Sequence, residues 1–251
     1  MVQPLRRIVV GLGRIEEPDA HLRHALQLAE ASGATAYVVH AYHLPDPLLY
    51  PYPEMATFDP EALEAARRSV QRRMDDQVSR LAGGARVETR TVPAPADASL
   101  IDTAEEVDAD LIVVGATERG AVSRAILGTT AGRVLRASPR PVLVVRHPEA
   151  APIRRVLMST DLSELSGRVY RRGLAVARAL GADDVELRTL LVVGDDLATP
   201  PPARQSVLKG IAEKELRPFL ERAGPEAAES SGKVRLGDAC TQILEEASEW
   251  D

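Results

Sequence analysis

Apolar positions in this chain fall into short runs separated by amphipathic stretches of helical length. The first run, Ile8-Val9-Val10, is entered from Arg6-Arg7 and predicts a strand. It is followed by a helical pattern over residues 18–32 that Gly33 terminates, and by a second strand at 35–39. A long helical segment at 60–81 leads to a strand at 86–92 and to a helix containing Ala104 to Asp108. Residues 110–114, Asp-Leu-Ile-Val-Val, read as a strand buried on both faces. A glycine-punctuated loop, a short helix at 128–137 and a last strand at 141–145 complete the series. Strands alternating with helices of this length predict a parallel sheet with helices on both faces and right-handed crossovers.

The same phrase then recurs. Arg154-Arg155 leads into Val156-Leu157-Met158, and the helix that follows ends at Gly181, so Ile8 to Val156 and Gly33 to Gly181 share one offset of 148 residues. Further on, a strand is expected at 184–193, a helix at 202–223 and a strand at 232–236. Ala247 to Asp251 then matches Ala104 to Asp108 at an offset of 143, which implies a loop shorter by about five residues. The expectation is a tandem pair: a complete domain over 1–147, a linker at 148–152, and a second domain over 153–251 that lacks strands four and five.

Composition narrows the class without changing this picture. The chain has 251 residues, 45% of them apolar and 27% charged, as in globular domains with aliphatic cores. A net charge of -6 gives no general attraction to nucleic acid or to anionic lipid, and no apolar run is long enough to span a membrane. One cysteine, Cys240, forms no internal disulfide; it is expected to be a small buried residue. The expected location is the cytoplasm.

The stretch after Val114 carries the chemistry. It reads Gly115-Ala116-Thr117-Glu118-Arg119-Gly120 and continues to Gly128-Thr129-Thr130, where the short helix opens. Glycines let backbone N–H groups turn inward, and a helix N-terminus adds unpaired donors and partial positive charge, so the segment suits an anion. It also follows a central strand, at the edge where open α/β sheets collect ligands. A turn used only for chain reversal is the alternative.

These residues, with Val113-Val114-Gly115 before the loop and the run from Gly128 through Arg136 to Pro141-Val142-Leu143-Val144-Val145 after it, resemble the universal stress protein family. The resemblance implies a Rossmann-like fold of the adenine nucleotide alpha hydrolase type, with a five-stranded sheet ordered 3-2-1-4-5. It also implies an ATP-binding module of the stress response, with Mg2+ accompanying ATP and with slow hydrolysis at most. Nucleotide contacts are implied at Gly115, Arg119, Gly128, Thr129 and Thr130, with Val39 and Gly13 at the ends of the second and first strands. Homodimerisation through the edge strand Val142–Val145 is a further implication.

Two positions depart from the family pattern. Glu118 stands at its second glycine, and Gly13 stands where its members carry an Asp that contacts the nucleoside. A carboxylate about 4 Å from a phosphate charge costs on the order of 4 kcal/mol at an effective dielectric of about 20. Glu118 is therefore expected to face solvent, with Arg119 left beside the ligand. The second copy reverses the pattern: Asp161 follows its first strand, but no glycine loop exists. Asp161 and Ser163 also suit helix capping, with Ser163 capping a helix that starts near Glu164. The rival function is a scaffold of the same fold that binds no nucleotide.

Other features add less. His21 and His24 share a helix face, while His40 and His43 follow the second strand, so both pairs fall near the sheet's carboxyl edge. They are read as packed or solvated, with metal binding as the alternative. A proline- and aromatic-rich segment over 42–60 is either a lid or a surface loop.

Overall fold

The computed structural model describes residues 4–15, 20–42, 60–116, 127–146, 153–194 and 201–250. The chain divides into two compact units, one over Leu5–Ala151 and the other from Pro152 to Asp251.

The first unit runs β1 (Arg7–Gly11), α1 (Ala20–Ser32), β2 (Thr35–Ala41), α2 (Pro60–Leu81), β3 (Arg86–Val92), α3 (Ala96–Glu106), β4 (Leu111–Gly115), α4 (Thr129–Ala137) and β5 (Val142–Val145). All strand pairs are parallel and the order is β3-β2-β1-β4-β5, as the resemblance implied. Ile8, Val9 and Val10 of β1 are wholly buried because strands flank them on both sides and helices cover both faces. Val9, Val39, Ile112 and Val114 pack with Leu100 and Ala104 of α3 and with Ala131 and Val134 of α4. Ile8 and Val10, of opposite parity, point to the other face, where α1 packs on β1 and β4. The start of β4 is tied to β1 by Asp110, whose carboxylate accepts the Arg6 amide at 2.7 Å and the Arg7 amide at 3.1 Å.

The second unit contains β6 (Ile153–Thr160), α5 (Glu164–Leu180), β7 (Gly181–Val193), α6 (Pro202–Ala223), α7 (Pro225–Glu229), β8 (Ser231–Leu236) and α8 (Ala239–Glu249). Its three strands are parallel in the order β6-β7-β8. One face buries Tyr170 and Leu174 of α5 against Leu191, Val234 and the α6 residues Leu216, Phe219 and Leu220. Within this core Tyr170 meets Phe219 edge to face, and its hydroxyl shares a hydrogen bond of 2.7 Å with the fully buried Thr189.

The other face is ionic. Glu246 of α8 is fully buried and receives Arg188 Nη1 at 2.8 Å, Lys233 Nζ at 2.5 Å and Arg235 Nε at 2.7 Å, from β7 and β8. Arg188 also lies over the Trp250 ring, 4.1 Å from its centroid.

Three details differ from the sequence reading. β7 begins at Gly181 instead of 184, because its first residues pair with β6 through an irregular register. Ile8 lies opposite Ala36 whereas Val156 lies opposite Leu187, so three residues are added between strand and partner, and the later loop is shortened by correspondingly more than five. Cys240, expected to be buried, is exposed, since Glu246 supplies the buried position of α8.

Candidate functional site

The carboxyl ends of β1, β2 and β4 and the N-terminus of α4 form one edge of the first unit. Two hydrogen bonds fix it there. Ala116 donates to Val145 O at 2.9 Å, continuing the β4–β5 pairing past the last strand residue, and Gly128 donates to Ala116 O at 2.5 Å. The chain therefore leaves at Ala116 and returns beside it at Gly128, which sets the start of α4 next to the end of β4.

α4 opens without a side-chain cap. Gly128, with φ of −57°, is its N-cap, and no acidic residue occupies the first turn. The first backbone bond of the helix is from Gly132 N–H to Gly128 O at 2.8 Å, so the amides of Thr129, Thr130 and Ala131 precede any intrahelical acceptor. Three such donors at the positive end of a helix dipole favour an anion. Arg133, one turn in, is exposed and 3.8 Å from Asp97, a separation that leaves the ion pair weak.

Gly115 is glycine because of an imidazole. A Cβ built on it would lie 2.7 Å from His21 Nδ1, closer than a Cβ comes to a neighbour, and a tight 3.1 Å from His21 Cε1, so the ring would have to shift. His21 is oriented by a hydrogen bond from Nε2 to the Gly11 carbonyl, and His40 Nδ1 bonds the next carbonyl, Leu12 O, at 3.0 Å. A carbonyl only accepts, so His21 Nε2 and His40 Nδ1 are the donors. Two imidazoles from different elements thus hold consecutive carbonyls where β1 gives way to its loop.

The structure brings Gly115, Gly128, Thr129 and Thr130 together and sets Val39 and Gly13 on the same edge. Val39 contributes backbone only, as its side chain is 2% exposed in the core and its carbonyl accepts the Leu12 amide at 2.8 Å. Gly13 is exposed and has no side chain to replace the family's Asp. Arg119, Glu118 and His43 lie outside the described residues, as does most of the segment over 42–60. Among the described residues no group of three or more His, Cys, Asp or Glu is placed to hold a metal ion. His21 and His40 were legible as residues near the edge, but their carbonyl contacts were not, because neither follows a spacing rule.

In the second unit Asp161 is engaged locally. Its carboxylate accepts Ser166 Oγ at 2.6 Å and Ser163 N–H at 2.9 Å, and Ser163 Oγ caps α5 by accepting the Ser166 amide at 3.1 Å. Hydrogen bonds from Ser163 and Ser166 outweigh desolvation and lower its pKa to about 2.

A parallel five-stranded sheet ordered 3-2-1-4-5, with an uncapped helix N-terminus beside its fourth strand, defines a doubly wound α/β domain with an anion-receptive edge. Residues 4–146 match the model of the universal stress protein family, and the chain belongs to that family. It is 28% identical over 255 aligned positions to a universal stress protein of Mycobacterium tuberculosis, covering 97% of this chain and 85% of that one. A universal stress protein of Thermus aquaticus is 33% identical over 121 positions, 47% of this chain and 82% of its own length. Among solved structures, one described as a putative universal stress protein from Pseudomonas aeruginosa aligns over 98% of this chain and 79% of its own, with a TM-score of 0.67 at 14% identity. That last likeness concerns the fold.

Proposed function

We propose that the first unit is a nucleotide-binding module whose ligand is ATP, carried with Mg2+, and that it works by binding and release with at most slow hydrolysis. The observation that supports this most directly is the row of α4 amides at Thr129, Thr130 and Ala131, uncapped and free of first-turn carboxylates. Triphosphate oxygens would meet those amides, with Gly115 beneath them and the nucleoside lying toward Gly13 and Val39. Isothermal titration with Mg-ATP tests the reading, and binding in the micromolar range is the expected result. Thr130→Asp sets a carboxylate among the amides and should weaken affinity about tenfold or more, a loss of about 1.4 kcal/mol. Absence of heat at millimolar Mg-ATP would overturn the proposal.

A second reading is a scaffold of the same fold that binds no nucleotide. Two observations favour it: Gly13 offers no carboxylate to a ribose, and the His21 ring fills the space beside Gly115. Glu118→Gly separates the two. A large gain in ATP affinity means the loop residue limits a working site, whereas silence in both proteins supports the scaffold.

A further inference from the structure

β1 is the strand at which the first sheet changes direction, with β2 and β3 on one side and β4 and β5 on the other. Ligands of open α/β sheets enter at such a point, where neighbouring strands part at their carboxyl ends. The register shows the parting. β1 and β4 pair as far as Val10 and Val113, while β1 and β2 pair one residue further, to Gly11 and Val39. Gly11 and Leu12 stand at the opening with their carbonyls turned to opposite sides. Gly11 O faces β4, where it meets the His21 ring that lies against Gly115, and Leu12 O faces β2, where it meets His40.

These contacts leave the next peptide one orientation. Leu12 is anchored by its buried side chain, by its N–H to Val39 O at 2.8 Å and by its carbonyl to His40 Nδ1 at 3.0 Å. The Leu12–Gly13 peptide is trans, and in a trans peptide the N–H points away from the C=O. A carbonyl directed at β2 therefore sends the Gly13 N–H toward β4, over the gap that the His21 ring fills. Gly13 is exposed, and among the described residues no acceptor meets its N–H.

We propose that the Gly13 N–H is a ligand contact of this edge, donating to an oxygen of the bound nucleotide, and that His21 and His40 are the positioning residues that aim it. The inference rests on the nucleotide-binding reading of the first unit and adds to it the group by which β1 meets the ligand. A nucleotide running from the α4 amides toward Gly13 and Val39 passes over the gap between β1 and β4, so the oxygen in reach belongs to the ribose or to the phosphate next to it. With no side chain at position 13, nothing of the residue itself stands between the amide and that oxygen. The two rings use different nitrogens, and this makes their roles separable. A glutamine amide nitrogen lies as many bonds from Cα as imidazole Nε2, and an asparagine amide nitrogen as many as Nδ1, so glutamine matches His21 and asparagine matches His40.

Calorimetric titration of the full chain with Mg-ATP, together with amide NMR spectra of glycine-labelled protein, tests the assignment. In the unsubstituted chain Mg-ATP should move the Gly13 amide proton downfield. The dissociation constant should rise about tenfold in His21→Ala and in His40→Ala, as for loss of one hydrogen bond to a charged group. His21→Gln and His40→Asn should recover most of the lost affinity, whereas the exchanged substitutions His21→Asn and His40→Gln, which displace the donor by one bond, should not. A side chain that only filled space would not separate the matched from the exchanged pair, and dispersed amide signals verify that each variant is folded. Binding that leaves the Gly13 signal unmoved, or equal affinities in the matched and exchanged variants, would overturn this proposal alone. An unsubstituted chain that takes up no Mg-ATP would overturn the nucleotide reading and this proposal with it.

Discussion

Gly115 shows how one position can satisfy two different requirements. The family's loop pattern asks for glycine there so that backbone amides can face phosphate, while in this molecule the His21 ring asks for it by occupying the space of a Cβ. Gly115→Ala should therefore cost about 1–3 kcal/mol in urea unfolding, the usual range for forcing a methyl into a filled site. The cost should shrink in a His21→Ala background, and a cycle showing no coupling would place the constraint elsewhere. Glu246 makes the opposite point about burial. Desolvation alone would raise its carboxyl, but hydrogen bonds from Lys233, Arg188 and Arg235 prevail and hold it at about 2. A depressed acid stabilises fully above its unfolded value, near 4.5, and that contribution is lost as pH falls from there through about 2. Glu246→Gln leaves three cations around a neutral amide and should destabilise the second unit by about 3–5 kcal/mol at neutral pH. It should also flatten the acid limb of the stability profile, which denaturation at a series of pH values will show.

At the scale of elements, what could be read from the chain was what repeats with a period. β1 and β4 announce themselves as unbroken aliphatic runs because they are buried on both faces, β5 as a shorter aliphatic run that the structure leaves half-buried at the sheet edge, and α4 because glycines precede it and apolar residues recur along it. The irregular β6–β7 register was hidden by a coincidence: Gly33 and Gly181 align without a gap, yet Gly33 turns the chain at φ +69° while Gly181 starts a strand. The ionic face of α8 was hidden for another reason. Glu246 belongs to a run, Glu245-Glu246, that reads as solvated, and only the pairing of β7 with β8 brings Arg188, Lys233 and Arg235 together above it. For the candidate site, the amides of Thr129 and Thr130 were legible from the loop, whereas the imidazole contacts depend on where α1 and β2 end and were not.

Over the whole molecule the two units are built to different degrees of closure, and one residue reports on the difference. Among the described residues the first sheet has five strands and a central strand shut off from solvent; the second has three, with β6 half-buried and an ionic layer where the first unit packs α3 and α4. Hydrophobic burial is the main favourable contribution to folding, so the second unit should be the less stable one wherever its edge is uncovered. Trp250 is the sole tryptophan of the chain and lies on Arg188 within the second unit, so its fluorescence follows that unit alone. Far-ultraviolet circular dichroism follows helices and strands of both. In urea, the fluorescence midpoint should precede the main circular dichroism transition, which should then resolve into two steps. Coincident transitions would mean that the ionic layer and the α6 core stabilise the second unit as fully as the five-stranded core stabilises the first.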